Sequence, residues 1–255
     1  IADARHARGA LNSQGLAVAI FAAGSDAPPR PGTPMTLIVR EILQFAATLD
    51  EAERILRSRS GFVSENVLVV DADHERAALF EVSPDQVVRV DTDNTYAVSN
   101  HFRSAQFAND ATNTRRMETL TTVPRLERME ELLERWAGRL RPSSAAGILL
   151  DRQGVGDKEL PWGHRHAINA DLTTHSVVFD ATARTAWVSR YPGVSGGFVE
   201  ISLPKMAKGE LSSRFLASPG TATETLAIRR GRDLIRQARR QPADALPLTA
   251  SALSL

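Results

Sequence analysis

The order of hydrophobic patterns predicts an α+β protein with layered packing, in which helices are grouped between runs of antiparallel strands. Three observations carry this. Strand-like segments follow one another directly from Asn66 to Val98, two helical patterns precede them as a pair, and a hairpin with one further strand closes the patterned region. A parallel βαβ protein would instead alternate single strands with single helices.

Taken in order, Leu16–Ala22 is an apolar run after Asn12-Ser13-Gln14-Gly15, a turn feeding a buried strand. Asp26–Gly32 holds three prolines and reads as a loop. Thr33-Pro34 predicts a helix start, with Thr as cap and Pro at the first helical position, and Ile38, Ile42, Phe45 and Ala46 recur at helical spacing. Thr48-Leu49-Asp50-Glu51 fits a capping box for a second helix whose buried stripe is Ala52, Ile55 and Leu56.

Asn66–Ala72, Arg76–Ser83, Gln86–Val90 and Tyr96–Val98 then read as strands, the last ending on Ser99-Asn100-His101-Phe102. A polar stretch leads to a helix over Arg125–Leu140, lined by Met129, Leu132, Leu133 and Trp136. Ser143–Leu150 is a shorter helix and Asp151–Pro161 a connection. Thr173–Asp180 and Thr185–Arg190 form a hairpin, and Gly197–Leu203 a final strand. Residues 204–255 form a C-terminal extension with a basic helix at about Thr221–Arg240 and a frayed tail. That helix has a modest apolar face, and packing on the body explains it better than a membrane or nucleic-acid surface.

With 31 basic and 30 acidic residues, the chain gives no reason to expect nucleic acid as a partner. No stretch approaches the roughly 20 apolar residues of a membrane-spanning helix. The absence of cysteine excludes disulfides, thiolate metal sites and Cys catalysis within these 255 residues, and leaves the compartment open. A chain opening at Ile1, almost directly before a strand pattern, reads as truncated or processed.

A side-chain amide at the exit of a buried strand suits an oxyanion, because its N–H donors are fixed before charge develops. Asn100 is the leading candidate for that role. Ser83 before Pro84 is a second site candidate or an ordinary turn starter. Asn12 and Gly15 read as a plain turn. Arg125 is a candidate substrate contact or the partner of an acid such as Glu118. His164, His166 and His175 raise a metal-dependent hydrolase as an alternative, since His-x-His presents two imidazoles together, although no further ligand stands at a characteristic spacing.

The same motifs, in the same order, resemble the acyl-coenzyme A:6-aminopenicillanate acyltransferase family, the C45 group of N-terminal-nucleophile hydrolases. Across roughly residues 9 to 203 the pieces that carry this are Gly9–Val18, Gly32-Thr33-Pro34 with Arg40 and Thr48–Leu56, and Phe80-Glu81-Val82-Ser83-Pro84. Ser99-Asn100-His101-Phe102, Thr122-Val123-Pro124-Arg125, Thr173–Asp180 and Ala186-Trp187-Val188-Ser189 complete the series. The resemblance implies an αββα sandwich, lacking its N-terminal nucleophile segment here. It implies acyl transfer or amide hydrolysis by an autoproteolytically exposed N-terminal cysteine, with the free α-amine as base. Asn100 and Ser83 match catalytic positions, while Arg125 and Thr173 match substrate-binding ones. The implied partner is a small amide or acyl-thioester substrate, with no cofactor beyond, at most, an acyl-coenzyme A substrate. A Ser-Arg pair expected before Thr173 is replaced, in a gapless match, by Asn169-Ala170. Without the nucleophile the 255-residue chain is expected to be inactive. A non-catalytic descendant binding a small amphipathic ligand is the other alternative.

Overall fold

The computed structural model describes residues 9–92, 95–190, 197–210 and 214–216. The basic segment at Thr221–Arg240 lies outside them. Two antiparallel sheets organise the chain. The first has the order β1 (Gly9–Leu11), β2 (Leu16–Ala22), β3 (Glu65–Asp71), β4 (Arg76–Val82) and β5 (Val87–Asp91), each strand beside its sequence neighbour. The second runs β6 (Val177–Asp180), β7 (Thr185–Ser189), β8 (Phe198–Ser202) and β9 (Phe215–Leu216).

Alternation along β2 explains the continuous apolar run. Leu16, Val18 and Ile20 join Val67, Val69, Ala78, Phe80 and Val82 in a core closed by α1 (Met35–Phe45) and α2 (Leu49–Ser58). Ala19 and Phe21 point to the opposite face, beside Leu68 and Leu79. Helix α1 buries Met35, Ile38, Val39 and Ile42, and α2 buries Leu49, Ala52 and Leu56. The Thr48 side chain caps α2 by accepting from the Glu51 N–H.

Several boundaries differ from the sequence expectation. Thr33 does not cap α1, because it pairs with Gly61 in an isolated bridge; Pro34 takes the cap position in extended conformation. Phe45 is 75% exposed rather than part of the buried stripe. Tyr96–Val98 is no strand; it lies across the first sheet, with Val98 against Phe21 and Leu79. The polar stretch after Phe102 contains α3 (Ala111–Thr119). That helix has no apolar stripe, and it is held by its cap Asp110 and by Asp26, which accepts from the Ala111 and Thr112 N–H groups. Helix α4 covers Thr122–Arg135 and stops before Trp136, which is 40% exposed.

Helix α4 packs Leu126, Met129, Leu132 and Leu133 on Ala97, Ile168 and Ile148 of α5 (Pro142–Leu149). Ala145, Ala146 and Leu149 of α5 cover Val178, Trp187 and Phe198 of the second sheet. The other face of that sheet carries Val177, Phe179, Ala186, Val188, Val199 and Ile201, half-buried to exposed. A short α6 (Leu203–Met206) follows β8. The sheets touch where a Cβ on Gly9 would stand 3.0 Å from Phe179 Cε2. Arg184 of the β6–β7 turn also reaches Asp73 of the β3–β4 turn, at 2.6 Å and 2.7 Å.

Candidate active site

The site grows from two polar residues inside apolar strands. Asn66 and Glu81 are paired in register on β3 and β4, and both are fully buried. Their even spacing from Leu68 and Leu79 turns them away from the α1/α2 core, toward the segment after Val98. Asn66 Nδ2 donates to the carbonyls of Ser99 (3.1 Å) and His101 (2.9 Å). Glu81 accepts from the backbone N–H groups of Arg103 and Ser104 and from the Ser104 hydroxyl. Asn113 of α3 exchanges hydrogen bonds with both backbone groups of Phe102, at 2.8 Å and 3.0 Å. A segment without sheet partners thus satisfies its backbone through side chains from β3, β4 and α3.

Thr122, at the start of α4, completes the cradle. Its Oγ1 accepts from the Asn100 N–H and stands 2.8 Å from both Ser99 Oγ and His101 Nδ1. His101 is 3% exposed, and burial, together with Arg103 and Arg116, pushes its pKa down to about 4. It is therefore neutral at pH 7.

The Asn100 carboxamide can be oriented from chemistry alone. Arg125 Nη2 lies 2.8 Å from one end and can only donate, so that end is Oδ1. The Ala22 carbonyl lies 3.0 Å from the other end and can only accept, so that end is Nδ2. One of the two Nδ2 hydrogens remains without a partner among the described residues, on a half-buried side chain. Arg125 is itself 3% exposed and also donates to the Thr121 carbonyl. Burial and neighbouring Arg165 lower its pKa to about 10, so it stays charged at neutral pH. Arg116 Nε approaches the Asn100 carbonyl at 3.4 Å.

The structure brings Asn100 and Arg125 together. It places Ser83 just past β4, with Oγ accepting from the Asp85 and Gln86 N–H groups, so its hydroxyl serves the β4–β5 turn. Thr173 is buried before β6, and its Oγ1 has no hydrogen-bond partner among the described residues. Asn12 is a structural hub: Oδ1 accepts from Gln14 and Leu16, and Nδ2 donates to the Leu43 and Ala46 carbonyls at the end of α1.

The histidines do not assemble. His164 and His166 meet edge to face, with ring centroids 4.7 Å apart, and His175 bonds Thr174. Among the described residues no group of three or more His, Cys, Asp or Glu side chains is placed to hold a metal ion. A cavity of about 580 Å³ lies elsewhere, between the Ala17 end of the first sheet, β6 and the start of α5. Its lining reaches Ala19, three residues before Ala22, so it begins about 10 Å along β2 from the carbonyl that holds Asn100.

Asn66, Glu81, Asn113 and Thr122 were not singled out from the sequence. The signal for the first two was present: an amide and a carboxylate inside otherwise apolar strands, where burial without partners would be costly.

The antiparallel two-sheet α+β fold is similar to that of an N-terminal-nucleophile hydrolase. A variant of the conjugated bile acid hydrolase from Clostridium perfringens superimposes with a TM-score of 0.51 at 10% identity, covering 84% of this chain and 79% of that one. Residues 6–190 match the acyl-coenzyme A:6-aminopenicillanic acid acyl-transferase family, and the chain belongs to it. No curated protein matches the chain.

Proposed function

We propose that this chain carries the oxyanion-holding part of an amide hydrolase or acyltransferase, acting on small amides or acyl thioesters. The observation that carries the reading is the Asn100 carboxamide, turned by Arg125 and Ala22 so that one Nδ2–H remains to donate. When a nucleophile attacks a carbonyl, the oxygen gains charge, and a pre-aimed donor stabilises it without reorganisation. The acyl group then passes to water or to an acceptor amine. The thiol that the family resemblance implies is not among these 255 residues, which contain no cysteine. The reading therefore needs a cysteine from polypeptide outside this sequence, freed by autoproteolysis so that its α-amine can act as base.

In this reading the two sheets are the inner layers of an αββα sandwich, supported by α1 and α2 outside the first and α5 against the second. Ser83 steadies the end of β4 and hence Glu81. Thr173 offers its unpartnered hydroxyl to the substrate. The second reading is a protein that binds a small amphipathic ligand without catalysis.

The test is expression of this chain contiguous with the polypeptide encoded before residue 1. Self-cleavage exposing an N-terminal cysteine, followed by a burst of one acyl group per chain from a p-nitrophenyl ester, supports the enzyme. A contiguous polypeptide with no cysteine, or one that never acylates, overturns it in favour of the binding protein.

A further inference from the structure

Two side chains from different elements grip one peptide group. Asn66 Nδ2 donates to the Ser99 carbonyl at 3.1 Å, and Thr122 Oγ1 accepts from the Asn100 N–H at 2.8 Å. Carbonyl and N–H are the two ends of the rigid peptide that joins Ser99 to Asn100. The other Asn66 donor goes to the His101 carbonyl at 2.9 Å, which anchors the chain just beyond Asn100. Asn100 is thus bracketed from β3 and from the first turn of α4.

The Asn66 carboxamide is there for its donors. Both partners are carbonyls and can only accept, so the bonded end is Nδ2. Its Oδ1 is left buried with no hydrogen-bond partner among the described residues. A buried orphan acceptor costs stability, and a residue serving the fold alone would avoid it. Asn66 and Thr122 are 0% and 1% exposed, so neither meets a substrate directly. Any effect they have on chemistry passes through Asn100.

We propose that Asn66 and Thr122 are positioning residues that aim the Asn100 carboxamide at the reacting carbonyl. The assignment rests on the reading of Asn100 as the oxyanion holder. Arg125 and the Ala22 carbonyl orient the carboxamide itself, while the gripped peptide sets the point from which it projects. A donor helps most when it is fixed before charge develops, and a displacement of about 1 Å can cost about a hundredfold in rate.

Side-chain amide NMR of the 255-residue chain tests this, with the Asn100 signals assigned by their loss in Asn100→Asp. Asn66→Ala removes the donors, and Thr122→Val keeps the shape but removes the acceptor, so the test does not depend on one variant folding. In each, the Asn100 amide protons should move toward free-asparagine positions and exchange with solvent about tenfold faster. The Asn12 amide, held by the Leu43 and Ala46 carbonyls, should stay in place. If the polypeptide contiguous with residue 1 supplies the cysteine, Asn66→Ala should lower kcat about 10–10²-fold with KM little changed. It should add nothing to Asn100→Ala, because both changes act through one donor. Unmoved Asn100 signals in both variants, an Asn12 signal that moves equally, or a kcat loss that persists in the Asn100→Ala background overturns the proposal. The acyl-transfer reading fails separately, if the Asn100 signals respond as expected but the contiguous polypeptide never acylates.

Discussion

Replacing Arg128 by methionine tests how much of the fold near α4 depends on one buried charge. Arg128 is 1% exposed. Its Nε and Nη2 meet the two oxygens of Asp151 at 2.9 Å and 2.8 Å, and Nη1 meets Glu131 and Asp157, each at 2.9 Å. The Asp151 bonds hold this guanidinium above the usual arginine range. Methionine fills the volume of the stem, so little cavity forms. Glu131 and Asp157 keep Arg135 as a partner, whereas the 11%-exposed Asp151 side chain is left without a cation among the described residues. Stranding one half of a buried pair costs about 3–5 kcal/mol. At this chain length that corresponds to a melting temperature about 6–20 °C lower. Urea unfolding supplies the free energy and calorimetry the melting temperature. The double variant Arg128→Met/Asp151→Leu should recover most of the loss. A single variant costing less than about 1 kcal/mol, or a double variant worse than the sum of the singles, refutes the reasoning.

Other expectations follow from the site. His101 has a folded pKa of about 4 against 6.5 unfolded, so below pH 6.5 the unfolded chain binds the extra proton and stability falls with pH. By pH 4 the loss from this group reaches roughly 3 kcal/mol, and His101→Gln should flatten the urea-midpoint profile between pH 4 and 6.5. Asn12→Ala should cost about 2 kcal/mol, and Asn12→Asp at least as much, because a carboxylate then faces the Leu43 and Ala46 carbonyls; chemical denaturation ranks the two. If the polypeptide contiguous with residue 1 supplies the cysteine, Asn100→Ala should lower kcat about 10²–10³-fold in the ester assay, with self-cleavage scored separately.

The strands and helices whose pattern reflects burial were legible. Leu16–Ala22 has the predicted ends, and Thr48 caps α2 as its motif suggests. What failed were elements decided by partners distant in sequence. Thr33 was drawn into a bridge with Gly61, and Tyr96–Val98 has strand composition but no neighbour to pair with. Helix α3 shows no apolar period because caps rather than packing hold it, and one of those caps, Asp26, lies 85 residues from its partner Ala111. Asn100 could be singled out by motif order. Its orientation could not, since that depends on Arg125 25 residues later and Ala22 78 residues earlier.

The facing pair Asn66 and Glu81 makes the chemistry of the loop hostage to parity in a hairpin. A one-residue deletion within β3 or β4 would swing one member of the pair into the oily side beneath α1 and α2 and drop the Ser99–Ser104 segment. A two-residue deletion would preserve facing but shift the anchor by one pleat. The Ser99–Ser104 loop thus inherits its position from a length counted in twos, and drift in this hairpin is tolerated at the Asp73–Glu75 bend before it is tolerated in the strands.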